Sequence, residues 1–511
     1  MNNLNFLVDV LKESPVFKTL EKNVKPGRTV CASGLSTINK SNIIYALCRL
    51  KGVTAFCLAS DEKEAQTLCN DLSCMGLRAY VYPVRDFNFL DFQSRSHEYE
   101  HARLKVLLKL LNHECDVAIA CVDAAAQLTV PRNVLEQSVI EFEEGRELSL
   151  EKATKALTLL GYERFDAVEG SGQFSLRGGI LDFFMPDSDY PVRCEFWGDE
   201  ITDLSYFDIE TQRRFKKADK ITLSPSTEIV IEDRAALADK IEHKAKLLRS
   251  KNSAKAKEKL FSEAELIRSG AMIANADKFI NQIYDKPESL FDYLDRNTLV
   301  FASEFTAIQE RGKSMDFISN ETLMQGFEDG TLCRGFDRFA LTFNECTEFL
   351  QSHGTIVLEN FVHGSMPIKL SEIISFSTKQ LSAWGGSYKQ LKEDVDGLFT
   401  PESKGVIFAG TERAAKNLCD SFNADGINAV YSEGADKISK GELLVMQGAL
   451  SAGFEYPSQK FFAITYSQVS YRPEKSKRRR KRRDRKFTAF QSLPPVIMLY
   501  TMFTVSVCSA V

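Results

Sequence analysis

Two short stretches of this chain decide how its middle folds. Residues 172–184 have the sequence GQFSLRGGILDFF, and residues 191–201 have the sequence PVRCEFWGDEI. Apolar and polar residues alternate with a period of two, which is typical of strands with one buried face. The Gly178–Gly179 pair between the first two strands indicates a bulge or a close approach of two backbones. We therefore expect an antiparallel sheet of consecutive strands.

The same alternation predicts which side chains face outward. It places Val192, Cys194 and Phe196 on the buried face, with Arg177, Arg193 and Trp197 outward. Arg and Trp are the residue types that carry most binding energy at protein interfaces, so this face is a candidate docking surface. The alternative is that Trp197 packs under a loop and that the arginines pair with Glu195 or Asp199.

The chain on either side has a different rhythm, in which buried strands alternate with helices and predict a parallel sheet. A strand at Thr298–Ala302 is expected to return to this sheet, so the antiparallel module is an insertion. Within the module, Asp166–Glu169 is predicted to be a further strand, and Ile356–Leu358 is assigned to a third unit. The fold class is thus multidomain α/β with an inserted α+β module. The expected parts are an α/β domain at 1–140, the module at 141–228, the return to the first domain with a helical segment at 229–350, a third small α/β domain at 355–470, a basic linker at 471–493 and an apolar tail at 494–511.

Charge and cysteine content restrict the class of protein. The chain has 511 residues and a net charge of −5, but ten of its Lys and Arg residues lie in the run 475–486. Outside this run there are 55 basic and 69 acidic residues, a net charge of −14, which repels nucleic acid at long range. The twelve cysteines form no C-x-x-C pair, which favours a reducing, cytoplasmic location without structural zinc. No signal peptide or membrane span is expected.

A near-match to the phosphate-binding loop G-x-x-x-x-G-K-[ST] follows the first strand. Gly34, Lys40 and Ser41 fit the pattern, but Asn39 stands where the second glycine belongs. That glycine lets backbone N–H groups close around a phosphate. We therefore interpret the loop as degenerate and expect no cofactor. The alternative is a nucleotide-binding, helicase-like protein that uses Gly34–Ser41.

Residues 97–101 match the zinc-hydrolase pattern H-E-x-x-H. On a helix His97 and His101 share a face, and Glu98 is placed as a general base. No third ligand is evident, and acidic residues in a first helical turn are also expected from the helix dipole. We therefore expect neither a metal site nor a catalytic residue.

The module resembles a known family. Its motifs are GYERFD at 161–166, the two stretches quoted above, and TQR at 211–213. They are similar to the UvrA-interaction domain of UvrB, which the bacterial transcription-repair coupling factors (Mfd) share. The degenerate loop and the basic linker favour the coupling factors, and the resemblance covers about residues 15 to 493. No intact motor motif is present, so we expect a non-enzymatic chain.

The resemblance implies a partner and a site. UvrA is the implied partner, in the coupling of stalled transcription to nucleotide excision repair. Arg177, Arg193 and Trp197 fall on the family's UvrA contacts, with Phe196 beside them; Trp197 stands where the family usually has Phe. RNA polymerase would be bound only through a domain that follows the linker in the family.

The end of the chain departs from this resemblance. Residues 494–511 are apolar, and back-translation of residues 496–511 with a one-base shift permits the family's pattern, so we expect a frameshifted, truncated gene or a sequencing error. The alternative is a membrane anchor, although residues 496–511 are shorter than the ~20 residues that a span needs. A weak DNA contact through the basic run is a further alternative. Its central residues are Lys477, Arg478, Arg479, Arg480, Lys481, Arg482 and Arg483.

Overall fold

A computed structural model describes residues 4–85, 97–137, 140–249, 253–270, 276–362, 366–382, 384 and 388–466. The described strands are β1 Val30–Ser33, β2 Ala55–Ala59, β3 Ala79–Tyr82, β4 Val117–Cys121, β5 Ile140–Glu143, β6 Glu163–Arg164, β7 Gln173–Arg177, β8 Ile180–Phe183, β9 Val192–Trp197, β10 Glu200–Phe207, β11 Arg214–Lys217, β12 Lys220–Leu223, β13 Leu299–Ser303, β14 Thr355–Leu358, β15 Glu372–Ser375, β16 Lys379–Leu381, β17 Lys404–Ala409, β18 Ala429–Tyr431, β19 Glu442–Gln447, β20 Gly453–Tyr456 and β21 Phe461–Tyr466.

The helices connect and cover these strands. They are α1 Asn5–Lys12, α2 Pro15–Asn23, α3 Thr37–Lys51, α4 Glu62–Cys74, α5 Glu98–Leu111, α6 Val122–Ala126, α7 Arg132–Gln137, α8 Leu150–Leu159, α9 Arg234–Leu247, α10 Ser253–Arg268, α11 Ile280–Ile283, α12 Phe305–Asp329, α13 Phe343–His353, α14 Tyr388–Leu398 and α15 Glu412–Ala424. The start of α8 shows how the sequence sets such a boundary. Ser149 caps it by accepting a hydrogen bond from Lys152 N, as the sequence predicts.

The first sheet is parallel, with the strand order β15-β1-β14-β13-β2-β4-β3. Its central strands are buried along their whole length, which is the pattern of a sheet covered on both faces. β13 pairs with β2, so the predicted return of the chain at Thr298–Ala302 to this sheet is confirmed.

The strand at Thr355–Leu358 also belongs to the first sheet. It lies between β1 and β13, and the next strand, β15, pairs with the other edge of β1. The assignment of Ile356–Leu358 to the third unit is therefore wrong. Local apolar character identifies a buried strand but does not say which of two parallel sheets takes it.

The third unit has its own six-stranded sheet, in the order β16-β20-β21-β17-β19-β18. β17 is parallel to β19 and to β21, whereas β20 is antiparallel to both of its neighbours. One apolar core joins this sheet to the first one, because Val406 and Phe408 of β17 pack in the same cluster as Ile44 and Leu47 of α3.

The module between the two halves of the first sheet is a twisted six-stranded sheet in the order β11-β10-β9-β8-β7-β6. Neighbouring strands from β7 to β11 are antiparallel, as predicted. The prediction of a strand at Asp166–Glu169 is wrong. This segment is a loop that crosses β7, and Ser175 Oγ donates a hydrogen bond to its Asp166 carbonyl oxygen at 2.8 Å.

Candidate functional site

The outer face of β9 carries one strongly exposed aromatic side chain. Val192, Cys194 and Phe196 are buried in the core of the module, whereas Trp197 is 83% exposed. The interpretation that Trp197 packs under a loop is therefore wrong. Phe196 also does not lie on the surface, so its assignment as a contact residue is wrong. The two residues are neighbours on a strand and must point to opposite faces.

Asp182 joins the two predicted arginines on this face. It belongs to β8, is 1% exposed, and accepts hydrogen bonds from Arg177 Nη2 at 2.7 Å and from Arg193 Nε and Nη2 at 2.7 and 2.8 Å. The expected alternative partner Glu195 pairs with Arg214 instead. The hydrogen bonds that Arg193 donates to Asp182 raise the pKa of Arg193, so its charge is permanent.

The two arginines differ in how freely they can move. The Arg193 side chain is 13% exposed, lies 4.4 Å from the centre of the Phe207 ring and donates to Gln212 O and Oε1 at 3.2 Å. The Arg177 side chain is 50% exposed. Arg193 is thus fixed in the sheet surface, and Arg177 presents unused donors to solvent. Sequence reasoning missed Asp182, although an acid in the otherwise apolar strand ILDF is a signal.

The Gly178–Gly179 turn brings the backbones of β8 and β9 together. Gly178 has φ +62°, and a Cβ on Gly179 would lie 2.7 Å from the Phe196 carbonyl oxygen. Phe196 N donates to Gly179 O at 2.8 Å. The predicted close approach is therefore confirmed. It fixes the register of the two strands that carry Asp182 and Arg193.

The near-phosphate loop lies at the carboxyl edge of the first sheet, and its lysine is enclosed. Lys40 is 1% exposed, and its Nζ donates to Glu304 Oε1 at 2.5 Å, Ser303 Oγ at 2.9 Å and Glu64 Oε1 at 3.4 Å. Glu304 has φ +56°, a conformation uncommon outside glycine, that starts α12. The carboxylates of Glu304 and Glu64 thus neutralise the Lys40 ammonium group, which would otherwise bind a phosphate.

The rest of this loop is equally enclosed. A Cβ on Gly34 would lie 2.2 Å from the Phe376 carbonyl oxygen. Asn39 is fully buried, and its Oδ1 accepts from Ser36 Oγ at 2.6 Å. Ser41 Oγ donates to Asp71 Oδ2 at 3.3 Å, and Asp71 also accepts hydrogen bonds from Ser451 of the third unit. Burial raises the pKa of Asp71 to about 6.

The H-E-x-x-H segment lies at the start of α5 and contacts the end of the module, where Glu228 N donates a hydrogen bond to Glu100 Oε1. Burial opposes ionisation of Glu100, but Arg85, His97 and the Glu228 N–H keep its pKa well below the usual range. Burial lowers the pKa of His101, which lies against Gly172 of the module. In the described ranges no three His, Cys, Asp or Glu side chains are placed to hold a metal ion.

Some predictions concern residues outside the described ranges. They include the basic run with its central residues 477–483, and the apolar tail at 494–511. Within the described part of the chain, no helix is both long and apolar enough to cross a bilayer.

Comparison with known proteins identifies a family for the antiparallel module and relatives for most of the chain. The UvrB interaction domain family matches residues 140–229, which contain the whole six-stranded sheet. A transcription-repair-coupling factor of Bacillus subtilis (strain 168) is 26% identical over 486 residues, 92% of this chain and 41% of that protein. The protein of the same name from Staphylococcus aureus (strain MRSA252) is 22% identical, over 93% of this chain and 41% of its own length. One from Staphylococcus epidermidis (strain ATCC 12228 / FDA PCI 1200) is 25% identical over 78% of this chain.

This chain spans about two fifths of the length of the relatives that it matches most fully. Over nearly its whole length it is similar to the transcription-repair-coupling factors, and it carries a UvrB interaction domain at residues 140–229.

Proposed function

We propose that this chain docks UvrA in transcription-coupled nucleotide excision repair, and that the contact is the outer face of the module. The observation that carries the proposal is an outer face on which the buried carboxylate of Asp182 binds both Arg177 and Arg193, and on which Trp197 is exposed. The domain match and the names of the relatives support the partner.

The geometry suits a protein partner. Trp197 offers a large rigid surface that is 83% exposed, and the half-exposed Arg177 has guanidinium donors besides the one that Asp182 accepts. Tryptophan and arginine are residue types that are enriched in interface hot spots. The surface lies on paired strands, so little conformational freedom is lost on binding.

The test is titration of UvrA into the full chain by isothermal calorimetry. Trp197→Ala and Arg177→Ala should each weaken binding by about 2 kcal/mol, roughly 30-fold in Kd, as for hot-spot residues. Lys155→Ala is a matched control, because Lys155 is an exposed cation of the same module that pairs with Glu151 on its own helix. Unchanged affinity of the Arg177→Ala/Trp197→Ala double variant would refute the proposal.

Nucleotide binding at Gly34–Ser41 has no comparable support, since Lys40 is buried against Glu304 and Glu64. The role of the basic run at 475–486 stays a prediction.

A further inference from the structure

Two adjoining cavities lie at the amino edge of the first sheet, opposite the near-phosphate loop. Their volumes are about 230 and 460 Å³, and Val53, Asn297 and Thr298 line both. Most of their lining residues come from the segments that precede β1, β2, β3, β4, β13 and β14, and the others from the starts of β13 and β14 and the ends of α3 and α13. We call the two cavities together the amino-edge cleft.

The charge of the smaller cavity has one sign. Its lining contains Lys25, Arg28, Lys51 and Arg296, and no Asp or Glu among the described residues. A cavity lined by one sign of charge concentrates counter-ions. This is unexpected in a chain whose net charge outside the basic run is −14.

The larger cavity extends the same charge. It adds Arg49 and Arg78, and its carboxylates are Asp116 and Asp295. Asp116 is occupied by Arg78, which it contacts at 2.8 Å. Asp295 is paired at 3.2 Å with Arg132, which lies outside the cleft lining. Within the described ranges, the carboxylates of the larger cavity therefore form no ion pair with the cations of the smaller cavity.

Helix capping accounts for only part of the pattern. Arg49 and Lys51 lie in the last turn of α3, where a cation stabilises the helix dipole. Arg28 and Arg296 lie in connecting segments, and Lys25 lies one residue beyond the C-cap of α2, outside its last turn.

Several of these cations have unused donors. Within the described residues Lys25, Lys51 and Arg296 form no ion pair. Arg28 contacts Glu372 at 3.4 Å, and its Nε is buried without a hydrogen-bond partner in the described ranges. The Arg28 side chain is 36% exposed, and a bound oxyanion would accept from the guanidinium donors that Glu372 leaves unused.

We propose that the amino-edge cleft binds phosphate groups, either in a nucleic acid strand or in a free polyphosphate. The residues place several cations around one concavity, which suits a ligand with more than one phosphate. Among the described lining residues there is no Phe, Tyr or Trp, so bases have no stacking platform. Binding is consequently independent of base sequence and strongly dependent on salt.

The experiment must separate the cleft from the basic run. The background is therefore the full chain with the seven basic residues at 477–483 changed to Gln. On it, the cleft variant carries Lys25→Glu, Lys51→Glu and Arg296→Glu. The matched control carries Lys313→Glu, Lys389→Glu and Arg413→Glu, which make the same change of net charge at exposed positions away from the cleft.

Fluorescence anisotropy of a labelled 20-nucleotide single strand measures the affinity over a range of salt concentrations. We expect the background chain to bind, the cleft variant to bind at least ~10-fold more weakly, and its salt slope to fall by about 2, as for three lost phosphate contacts. Equal loss in the control variant, or no binding by the background chain to either ligand, overturns the proposal. Should the cleft variant not fold by circular dichroism, Arg296→Glu alone, at an exposed loop position, gives the same comparison against Arg413→Glu.

Tripolyphosphate distinguishes the two sources of phosphate. Calorimetric binding of tripolyphosphate that the cleft variant loses supports a free polyphosphate as ligand. Strand binding without tripolyphosphate binding supports a nucleic acid backbone.

Discussion

Replacing Lys40 by Ala tests whether the near-phosphate loop is a structural element or a nucleotide site. In a nucleotide site this change removes ligand affinity and leaves the fold intact. Here Lys40 Nζ is 2.5 Å from Glu304 and 3.4 Å from Glu64, and the lysine side chain is 2% exposed. We therefore expect Lys40→Ala to destabilise the fold.

The size of the effect follows from the exposure of the partners. Removing one member of a buried ion pair costs about 3–5 kcal/mol, because the other charge stays buried and unpaired. Glu64 is 11% exposed, so its charge stays buried and without the lysine. Glu304 is 27% exposed, so its charge regains some hydration. The expected loss in the free energy of unfolding is thus at the lower end, about 3 kcal/mol.

Urea unfolding followed by circular dichroism measures this loss. Lys63→Ala is the control, because Lys63 is an exposed lysine on the neighbouring helix α4. A triple variant with Lys40→Met, Glu64→Gln and Glu304→Gln should recover most of the stability, since it removes the charges together. The reasoning is refuted if Lys40→Ala unfolds within about 0.5 kcal/mol of the unchanged chain, above all if that chain binds ATP and the variant does not.

Three further changes test separate parts of the structure. Burial and the charge of Glu304 raise the pKa of Glu359 from 4.5 to about 7, so the folded chain retains a proton there that the unfolded chain releases. The free energy of unfolding should therefore fall as the pH rises from about 4.5 to 7, and Glu359→Gln should flatten this dependence in urea titrations; an unchanged slope contradicts it. Asp182→Asn should reduce the unfolding free energy by about 2 kcal/mol and UvrA affinity about tenfold, since both arginines lose their charged partner; calorimetry showing full affinity would exclude a positioning role. Gly172→Ala should lower the thermal midpoint, because its φ is +77° and its Cβ would lie 2.7 Å from His101 Cε1; His101→Ala in the same chain should recover part of the loss, and no recovery would locate the strain elsewhere.

The strand pattern of the module was predictable because it is local. The alternation along Val192–Trp197 predicts a buried and an exposed face, and the structure has Cys194 buried and Trp197 open to solvent. Phe196 was misassigned only as a contact residue, since the same alternation already places it inward. By contrast, an apolar run predicts a buried strand but does not show which parallel sheet the strand joins. For this reason Ile356–Leu358 was assigned to the wrong sheet.

The sequence alone was sufficient to predict β7 to β10 and helix α8 of the antiparallel module, and the departure of Asn39 from a phosphate-binding loop. These features depend on the side-chain period and on neighbouring residues. The tertiary structure was needed to show which charged side chains lie close together. It brings Lys40 to Glu304 across 264 positions of the chain, and it gathers Lys25, Lys51 and Arg296 around one cleft. The net charge of a chain does not predict which charged groups form pairs or clusters, because Coulomb energies depend on distances that only folding sets.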